Sequence, residues 1–391
     1  MKIGIIGAGR LGICFALLCE EAGYHVMASD IRSDYINDLN NKLIKTNEPL
    51  VQDLLTSSTN LIATTSNEEV IKNCDFLFTL VPTPSTKSGD YDVTAVWEVI
   101  NDIKNFKGNL KGKTFVVGCT TNPGDCVSFR ESLASYNVNV LYNPEFIAQG
   151  SIINDLRNAD MVLIGSDEDD FQESETFKFC AKLYSIIQGK HRKIQIKSMS
   201  TKAAEIVKLA VNCFLTTKIS YANMIGEVLS ASGLSSEIDN ALNAIGTHSP
   251  IGKSYLNYGF GYGGPCLPRD NRAFADYSLK VGIKHNLGTV TDFINEEHSD
   301  FLLKFMIDDN SKKLPFLFQY LAYKKGTDIM TESQQLRLCK SLLDKGARVI
   351  ISDIDPVIAQ IKEEFMSKYP ENVQFVSNIS SIKEDFYEIS F

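Results

Sequence analysis

The hexapeptide Gly7-Ala8-Gly9-Arg10-Leu11-Gly12 lies between an apolar run, KIGII, and a segment of helical apolar period. Three glycines at this spacing constrain the joint between a strand and a helix. Gly7 permits a tight turn, Gly9 lets a ligand come close to the backbone, and Gly12 allows the helix to pack against the strand. The first turn of such a helix presents unpaired N–H groups that suit an anion. The next β-branched run, YHVMASD, ends in Asp30, eighteen positions after Gly12. A carboxylate there accepts hydrogen bonds from ribose hydroxyls, so the pattern reads as the dinucleotide turn of a parallel sheet. Asp30 repels a 2′-phosphate and favours NAD over NADP, with Arg32 the one feature pulling the other way.

Over residues 2–165 the runs KIGIIG, YHVMASD, CDFLFTLV, KTFVVGC, VNVLY and DMVLIG alternate with helical patterns, which predicts an α/β domain with crossover helices. From Thr201 a proline-free segment of 3.6 period runs to Gly233, as one long, central helix would. A Gly/Pro/aromatic loop, SYLNYGFGYGGPCLPRD, and further helices to about residue 312 follow. A second β-α-β pattern then comprises PFLFQYLAYK, a helix over 333–345 and ARVIISDIDP, whose strand ends in an acid as the first domain's does. VQFVS is the last strand pattern, so this lobe is small and is expected to lean on its neighbours. The expected division is 1–197 for the dinucleotide domain, 198–312 for a central helical domain with the Gly-rich loop, and 313–391 for the second lobe.

A net charge of −9 over 391 residues offers no broad basic surface, which argues against nucleic acid or anionic lipid as partners. The nine cysteines show no CxxC or CxxH spacing, so neither a metal site nor a disulfide framework is expected. MKIGIIGAG enters a strand directly and no stretch approaches membrane-spanning length, so a cytoplasmic location is expected.

Cys266 stands in GFGYGGPCLPRD, where glycines at 259, 261, 263 and 264 deny it the apolar helix or strand that structural cysteines prefer. A thiolate there could add to a carbonyl, giving a tetrahedral species that surrenders hydride and leaves a thioester. Lys208 and Asn212 share one face of the long helix among Ile206, Val207, Leu209, Ala210, Val211 and Phe214. They are either a solvated polar edge or a polar pair aimed at a ligand. Glu145, in YNPEFIAQG, follows a strand at the edge where open α/β sheets bind ligands; it is either an acid-base group or a helix-starting carboxylate.

Taken together, GAGRLG with Asp30, VPTPSTKSGDYD, CTTNPGD, NPEFIAQGS, AAEIVKLAVNCFLTTKISYANMIGE, GFGYGGPCLPRD, LAYKKGTD followed by ES, and SDIDP resemble the UDP-glucose dehydrogenase branch of the nucleotide-sugar dehydrogenases. The resemblance spans most of the chain. It implies an N-terminal Rossmann domain, a central long helix that forms a homodimer, and a smaller C-terminal Rossmann-like domain that grips UDP. It further implies two NAD reduced per UDP-sugar, with Cys266 as nucleophile, Lys208 and Asn212 stabilising the oxyanion, and Asp270 assisting base chemistry. Glu145 would serve thioester hydrolysis and Thr121 would help hold a water. Gly7, Gly9, Arg10, Leu11, Gly12, Asp30, Pro82, Thr83, Thr121, Gln149 and Arg269 would meet NAD. Glu145, Phe146, Ile147, Ala148, Lys208, Asn212, Tyr255, Tyr258, Phe260, Gly263, Tyr323 and Lys324 would meet the sugar nucleotide.

The chain departs from that pattern at several positions. Gln149 stands for a second glutamate and cannot carry charge, and Thr331 stands for an arginine before ES. Pro250 and Asn257 stand where basic residues often meet the nucleotide, and Gln319 replaces a glycine after the second lobe's first strand. The Cys, Lys, Asn and Asp set is intact. The resemblance, closest to the glucose branch in GGPCLPRD, implies UDP-glucose to UDP-glucuronate as the leading reaction. The alternatives are another nucleotide sugar (a UDP-N-acetylhexosamine or GDP-mannose), a two-electron alcohol dehydrogenase, or a weakened NAD-binding regulator.

Overall fold

Lys2–Ile6 (β1) opens an eight-stranded sheet that continues through His25–Ser29 (β2), Leu61–Thr64 (β3), Phe76–Thr79 (β4), Thr114–Val117 (β5), Asn139–Tyr142 (β6), Val162–Gly165 (β7) and Ile196–Met199 (β8). The computed structural model describes residues 1–189 and 194–389, in two units, Met1–Lys208 and Leu209–Phe391. The sheet belongs to the first unit. Its order, β3-β2-β1-β4-β5-β6-β7-β8, contains the 3-2-1-4-5-6 arrangement of the doubly wound dinucleotide fold. Neighbours run parallel except β6 and β7, which meet antiparallel through Tyr142 and Gly165.

Burial explains which strands the sequence disclosed. Every residue of β4, β5 and β7 is buried, as a parallel strand covered on both faces requires, and each reads as a continuous apolar run. The two unanticipated strands are the sheet's edges. In β3 Ile62 is exposed, and β8, with sequence IKSM, contains no fully buried residue. An edge strand carries no uninterrupted apolar signal.

The long helix spans Thr201–Ala231, and the division between the units falls within it. Its start is held by Asp167, whose two carboxylate oxygens accept from the backbone N–H (3.0 Å) and hydroxyl (2.6 Å) of Thr201. Its end is the one expected. Gly233 has φ +76° and donates to the Ser230 carbonyl, while Leu234 donates to that of Leu229, a Schellman cap.

In the second unit the helices Ile238–Thr247, Leu267–Lys280 and Leu287–Asp309 precede a small parallel sheet. Its strands are Phe316–Phe318 (β9), Val349–Ile351 (β10), Val373–Phe375 (β11) and Tyr387–Glu388 (β12), in the order β11-β10-β9-β12. That order repeats β3-β2-β1-β4. The helix expected over 333–345 is Gln334–Asp344, capped by the Ser333 hydroxyl, which accepts from Leu336 N–H. Leu302 and Met306 of the Leu287–Asp309 helix complete the apolar core around Phe316, Phe318, Ile351 and Phe365. The small lobe does lean on a neighbouring helix. The two-residue β12 was not anticipated.

The fold is thus α/β, with an N-terminal Rossmann sheet, a long central helix and a smaller C-terminal Rossmann-like sheet. Among the described residues no helix is long and apolar enough to cross a membrane, and no cluster of three potential metal ligands occurs.

Candidate active site

The C-terminal ends of the first sheet's parallel strands collect most of the candidate residues of the first unit. Gly7 follows β1, Asp30 follows β2, Pro82 and Thr83 follow β4, Thr121 follows β5 and Glu145 follows β6. β1 and β4 are neighbours at the point where strand order reverses, which is where such sheets open a crevice.

Each glycine of the turn has its own steric reason. Gly7 adopts φ +96°, and a Cβ there would lie 2.7 Å from the Leu80 carbonyl oxygen. A Cβ on Gly12 would come within 2.0 Å of the Gly7 carbonyl oxygen, so any side chain would push the Arg10–Glu21 helix off the turn. Gly9 differs: its Cβ would meet nothing within 4 Å. At Gly9 the protein thus leaves open space beside a helix start, where an anion such as a pyrophosphate would fit. Asp30 and Arg32 form a bidentate pair at 2.8 and 2.9 Å, and the guanidinium lies 4.2 Å above the Tyr35 ring. Burial alone would raise the Asp30 pKa, but the Arg32 hydrogen bonds and charge outweigh it and hold it below the usual carboxylate range. Arg32, the feature that favoured a 2′-phosphate in the sequence, is thus tied to the carboxylate that disfavours one. The donors and space fit NAD. Arg10 reaches Gln149 at 3.5 Å, where the amide can accept but cannot pair charge for charge.

Glu145, Lys208 and Phe146 come together. The Lys208 ammonium donates to the Glu145 carbonyl oxygen at 2.9 Å and sits 4.7 Å over the Phe146 ring. Lys208 is buried, so the lysine is not a solvated helix edge. The Glu145 carboxyl lies 2.6 Å from the Tyr184 hydroxyl. Burial pushes its pKa up to about 7 against the opposing pull of Tyr184 and Lys208. Thr121 is fully buried and donates to Glu205 at 2.9 Å. Glu205, one turn before Lys208, also accepts from the N–H groups of Gly124 (2.6 Å) and Cys126 (2.9 Å), capping the Asp125–Leu133 helix. Burial raises the Glu205 pKa despite these bonds. Nothing in the sequence pattern singled out Glu205 or Tyr184. Both act through partners distant in sequence.

In the second unit, Cys266 is the N-cap residue of the Leu267–Lys280 helix, with Pro268 in its first turn. It is the one cysteine among nine that is not buried. Burial pushes the thiols of Cys14, Cys119 and Cys180 up to about 12, which leaves them inert. The unpaired N–H groups of a helix's first turn favour negative charge beside them. Asp270, one turn on, is buried and accepts a short hydrogen bond from the Asn212 amide, which fixes that amide's orientation. Arg269 turns back to the Pro265 carbonyl oxygen at 3.5 Å.

The Gly-rich loop is shaped by protein contacts more than its sequence implied. Cβ atoms at 261, 263 and 264 would meet Asn295 Oδ1 at 2.2 Å, the Glu332 carbonyl oxygen at 2.3 Å and the Tyr323 ring at 2.4 Å. Asn295 pairs with both backbone groups of Tyr262, accepting its N–H at 2.8 Å and donating to its carbonyl at 3.0 Å. His298, which sequence reasoning missed, bridges Glu227 of the long helix and the Gly259 carbonyl oxygen, both at 2.6 Å. Tyr258 lies against Gly226 and edge-on to His298, and Phe260 packs near Tyr320. Tyr255 is half exposed with φ +60°.

Tyr323 covers Gly264 and Lys324 is exposed. Asp353, the acid ending β10, accepts from the backbone N–H groups of Leu321 and Ile354, both at 2.7 Å. The acid after β10 is thus held by the backbone of the second lobe's own first turn, whereas Asp30 is held by the neighbouring Arg32. Gln319 donates to Glu388 at 2.7 Å, and Glu332, beside Thr331, pairs bidentately with Arg272.

Residues 1–188 match the NAD-binding domain of the UDP-glucose/GDP-mannose dehydrogenase family, and residues 202–297 match that family's central domain. A UDP-glucose 6-dehydrogenase of Haloferax volcanii is 28% identical over 382 residues, spanning 93% of this chain and 86% of the relative. The structure of a UDP-glucose dehydrogenase from Pyrobaculum islandicum superposes with a TM-score of 0.81 at 24% identity, over 97% of this chain and 87% of that one. A UDP-D-ManNAc dehydrogenase from Pyrococcus horikoshii gives 0.74 at 22% identity, over 100% and 99%. At these identities the two structures establish the fold. With two consecutive domains of one family matched over well over half its length, and a turn cut to admit a dinucleotide, this chain belongs to the UDP-glucose/GDP-mannose dehydrogenase family and is an NAD-dependent oxidoreductase of nucleotide sugars.

Proposed function

We propose that the protein oxidises the C6 alcohol of a UDP-hexose, UDP-glucose foremost, to the carboxylate, consuming one water and two NAD per sugar. The observation that carries this reading is Cys266: the one cysteine not buried, at a helix start whose Asp270 orients Asn212. A two-electron alcohol oxidation has no use for a nucleophilic thiol.

NAD, when bound, supplies the hydride acceptor for both oxidations. The Gly7–Gly12 turn, the helix start behind it and Asp30 hold its pyrophosphate and ribose. The Cys266 thiolate adds to the C6 aldehyde carbon, and hydride loss from that adduct leaves a thioester. The amide nitrogen of Asn212 gives one hydrogen to Asp270 and keeps the other for the oxyanion. The Lys208 ammonium, one turn earlier on the same helix, supplies positive charge to the same oxygen; donors of this kind contribute about 2.7–4 kcal/mol each. Glu145 accepts a proton from the water that attacks the thioester, which releases the uronate and restores the thiol.

Glucose is preferred over an N-acetylated sugar because GGPCLPRD lies nearer the glucose form of the motif than GGHC does. We assign the segments 1–197, 198–312 and 313–391 to NAD, catalysis and the UDP moiety. We also assign a homodimer to the long helix. Phe214, Tyr221, Met224 and Val228 form an exposed apolar stripe at seven-, three- and four-residue spacings, with Phe214 62% and Val228 57% exposed.

The test is NADH formation across UDP-glucose, UDP-N-acetylhexosamines and GDP-mannose, with intact-mass detection of an acyl adduct on Cys266. UDP-glucose should give the highest kcat/KM. Faster turnover of another sugar would reassign the substrate, and NAD binding without turnover of any would favour a regulator.

A further inference from the structure

The Tyr184 hydroxyl lies between two oxygens, Asn143 Oδ1 and Glu145 Oε1, each at 2.6 Å. A phenol has one hydrogen to give, and at 2.6 Å neither contact tolerates two facing lone pairs. The orientation of the Asn143 amide is settled by its other end: Nδ2 donates to the Leu163 carbonyl oxygen at 2.9 Å, and the residue is buried. Asn143 Oδ1 is therefore an acceptor, and its only donor in this trio is Tyr184. The second contact then needs a hydrogen from Glu145. We propose that Tyr184 and Asn143 are positioning residues that hold Glu145 as the neutral acid at rest, its proton donated to the Tyr184 oxygen while Tyr184 donates to Asn143.

This deepens the proposed reaction and rests on it for its catalytic meaning. In thioester hydrolysis Glu145 must be the carboxylate. When its proton leaves, the Tyr184 hydroxyl rotates from Asn143 to Glu145. When the carboxylate takes a proton from the attacking water, the hydroxyl rotates back. One hydrogen bond is thus exchanged between Asn143 and Glu145 per cycle, and the competition between them sets the ionisation midpoint. The surroundings agree. Burial pushes Glu145 up to about 7, while burial first and Glu145 second push the Tyr184 phenol well above its ordinary value, so Tyr184 stays protonated. The other groups close enough to influence the pair are Lys208, whose ammonium bonds the Glu145 carbonyl, and the thiols of Cys19 and Cys180. Burial raises both thiols and keeps them neutral, which leaves Lys208 as the charge facing Glu145 among the described residues.

The hydrogen count predicts opposite responses to two substitutions. Asn143→Leu removes the competing acceptor, so Tyr184 donates to an ionised Glu145 at no cost and the midpoint falls. Tyr184→Phe removes the donor to the carboxylate and the midpoint rises. A hydrogen bond to a charged group corresponds to a shift of about one pKa unit or more in each direction. The measurement is the infrared carboxylic-acid C=O stretch of the full-length protein titrated from pH 5 to 9 without substrate, with Glu145→Gln identifying the band. Wild type should show the band below about 7 and lose it above, Asn143→Leu should lose it at lower pH, and Tyr184→Phe at higher. Asn143→Ala carries the same prediction should Asn143→Leu not fold. Absence of the band in wild type near pH 6, or shifts of the same sign in both variants, would overturn the proposal. Because no substrate is present, a failure of the proposed reaction appears separately, as NAD binding without turnover.

Discussion

Replacing Glu205 by alanine should destabilise the first unit by about 3–5 kcal/mol. The side chain is fully buried and accepts from Thr121 Oγ1, Gly124 N and Cys126 N at 2.9, 2.6 and 2.9 Å. Alanine strands all three donors, and a buried donor without a partner costs about 1–3 kcal/mol. The total sits in the lower part of the summed range because Gly124 is only half-buried and water can reach it. Glutamine should cost less, about 1–2 kcal/mol, because one oxygen remains while its NH2 opposes a backbone N–H. The assay is urea unfolding followed by the fluorescence of Trp97, the chain's single tryptophan. Its ring packs edge-on, at 4.9 Å, against Phe129 of the helix that Glu205 caps. A Glu205→Ala loss below about 1 kcal/mol would show that these bonds exchange freely with water and would refute the reasoning.

Other consequences follow from the same geometry. Gly9→Ala should leave stability within about 0.5 kcal/mol yet weaken NAD about tenfold by calorimetry, since its methyl enters space the protein leaves open. Gly12→Ala should cost about 1–3 kcal/mol in thermal or urea unfolding, because its Cβ collides with the Gly7 carbonyl. Glu145 has a folded pKa of about 7 against 4.5 when accessible, so the fold holds its proton more tightly than the unfolded chain. Its contribution is nil below 4.5, grows increasingly destabilising as pH rises from 4.5 to 7, and levels off at about 3 kcal/mol above 7. Glu145→Gln should abolish that slope in unfolding free energy measured from pH 4.5 to 8.5. Asp270→Ala should free the Asn212 amide and lower kcat about 100-fold, with NAD affinity unchanged in a fluorescence titration.

What the sequence disclosed depended on whether a residue's partner was near it in the chain. Gly7, Gly12 and Asp30 act within one strand-turn-helix unit, and Gly233 ends its own helix; all four could be placed from spacing alone. The buried strands were visible because burial on both faces demands an unbroken apolar run. The edge strands β3 and β8 lack that demand and were missed. The Gly-rich loop was visible as a pattern without its cause. Three of its glycines are small because Asn295, Glu332 and Tyr323 press on them, a reason no local pattern could supply. Glu205, Tyr184 and His298 escaped notice for the same cause: each is an ordinary polar residue in a helix until the fold sets it beside Thr121, Asn143 or Gly259. Asp353 shows the converse, since it follows a strand like Asp30 yet accepts from the backbone of Leu321, distant in sequence, where Asp30 is held by Arg32 two residues away.

Whether oxidation runs through Cys266 over four electrons is decided by counting NADH formed per UDP-glucose consumed, with excess NAD, in wild type and in Cys266→Ser. Wild type should yield two NADH and UDP-glucuronate, with the serine variant unable to complete the second oxidation. One NADH per sugar with free aldehyde released by wild type, or two by the serine variant at the wild-type rate, would contradict it.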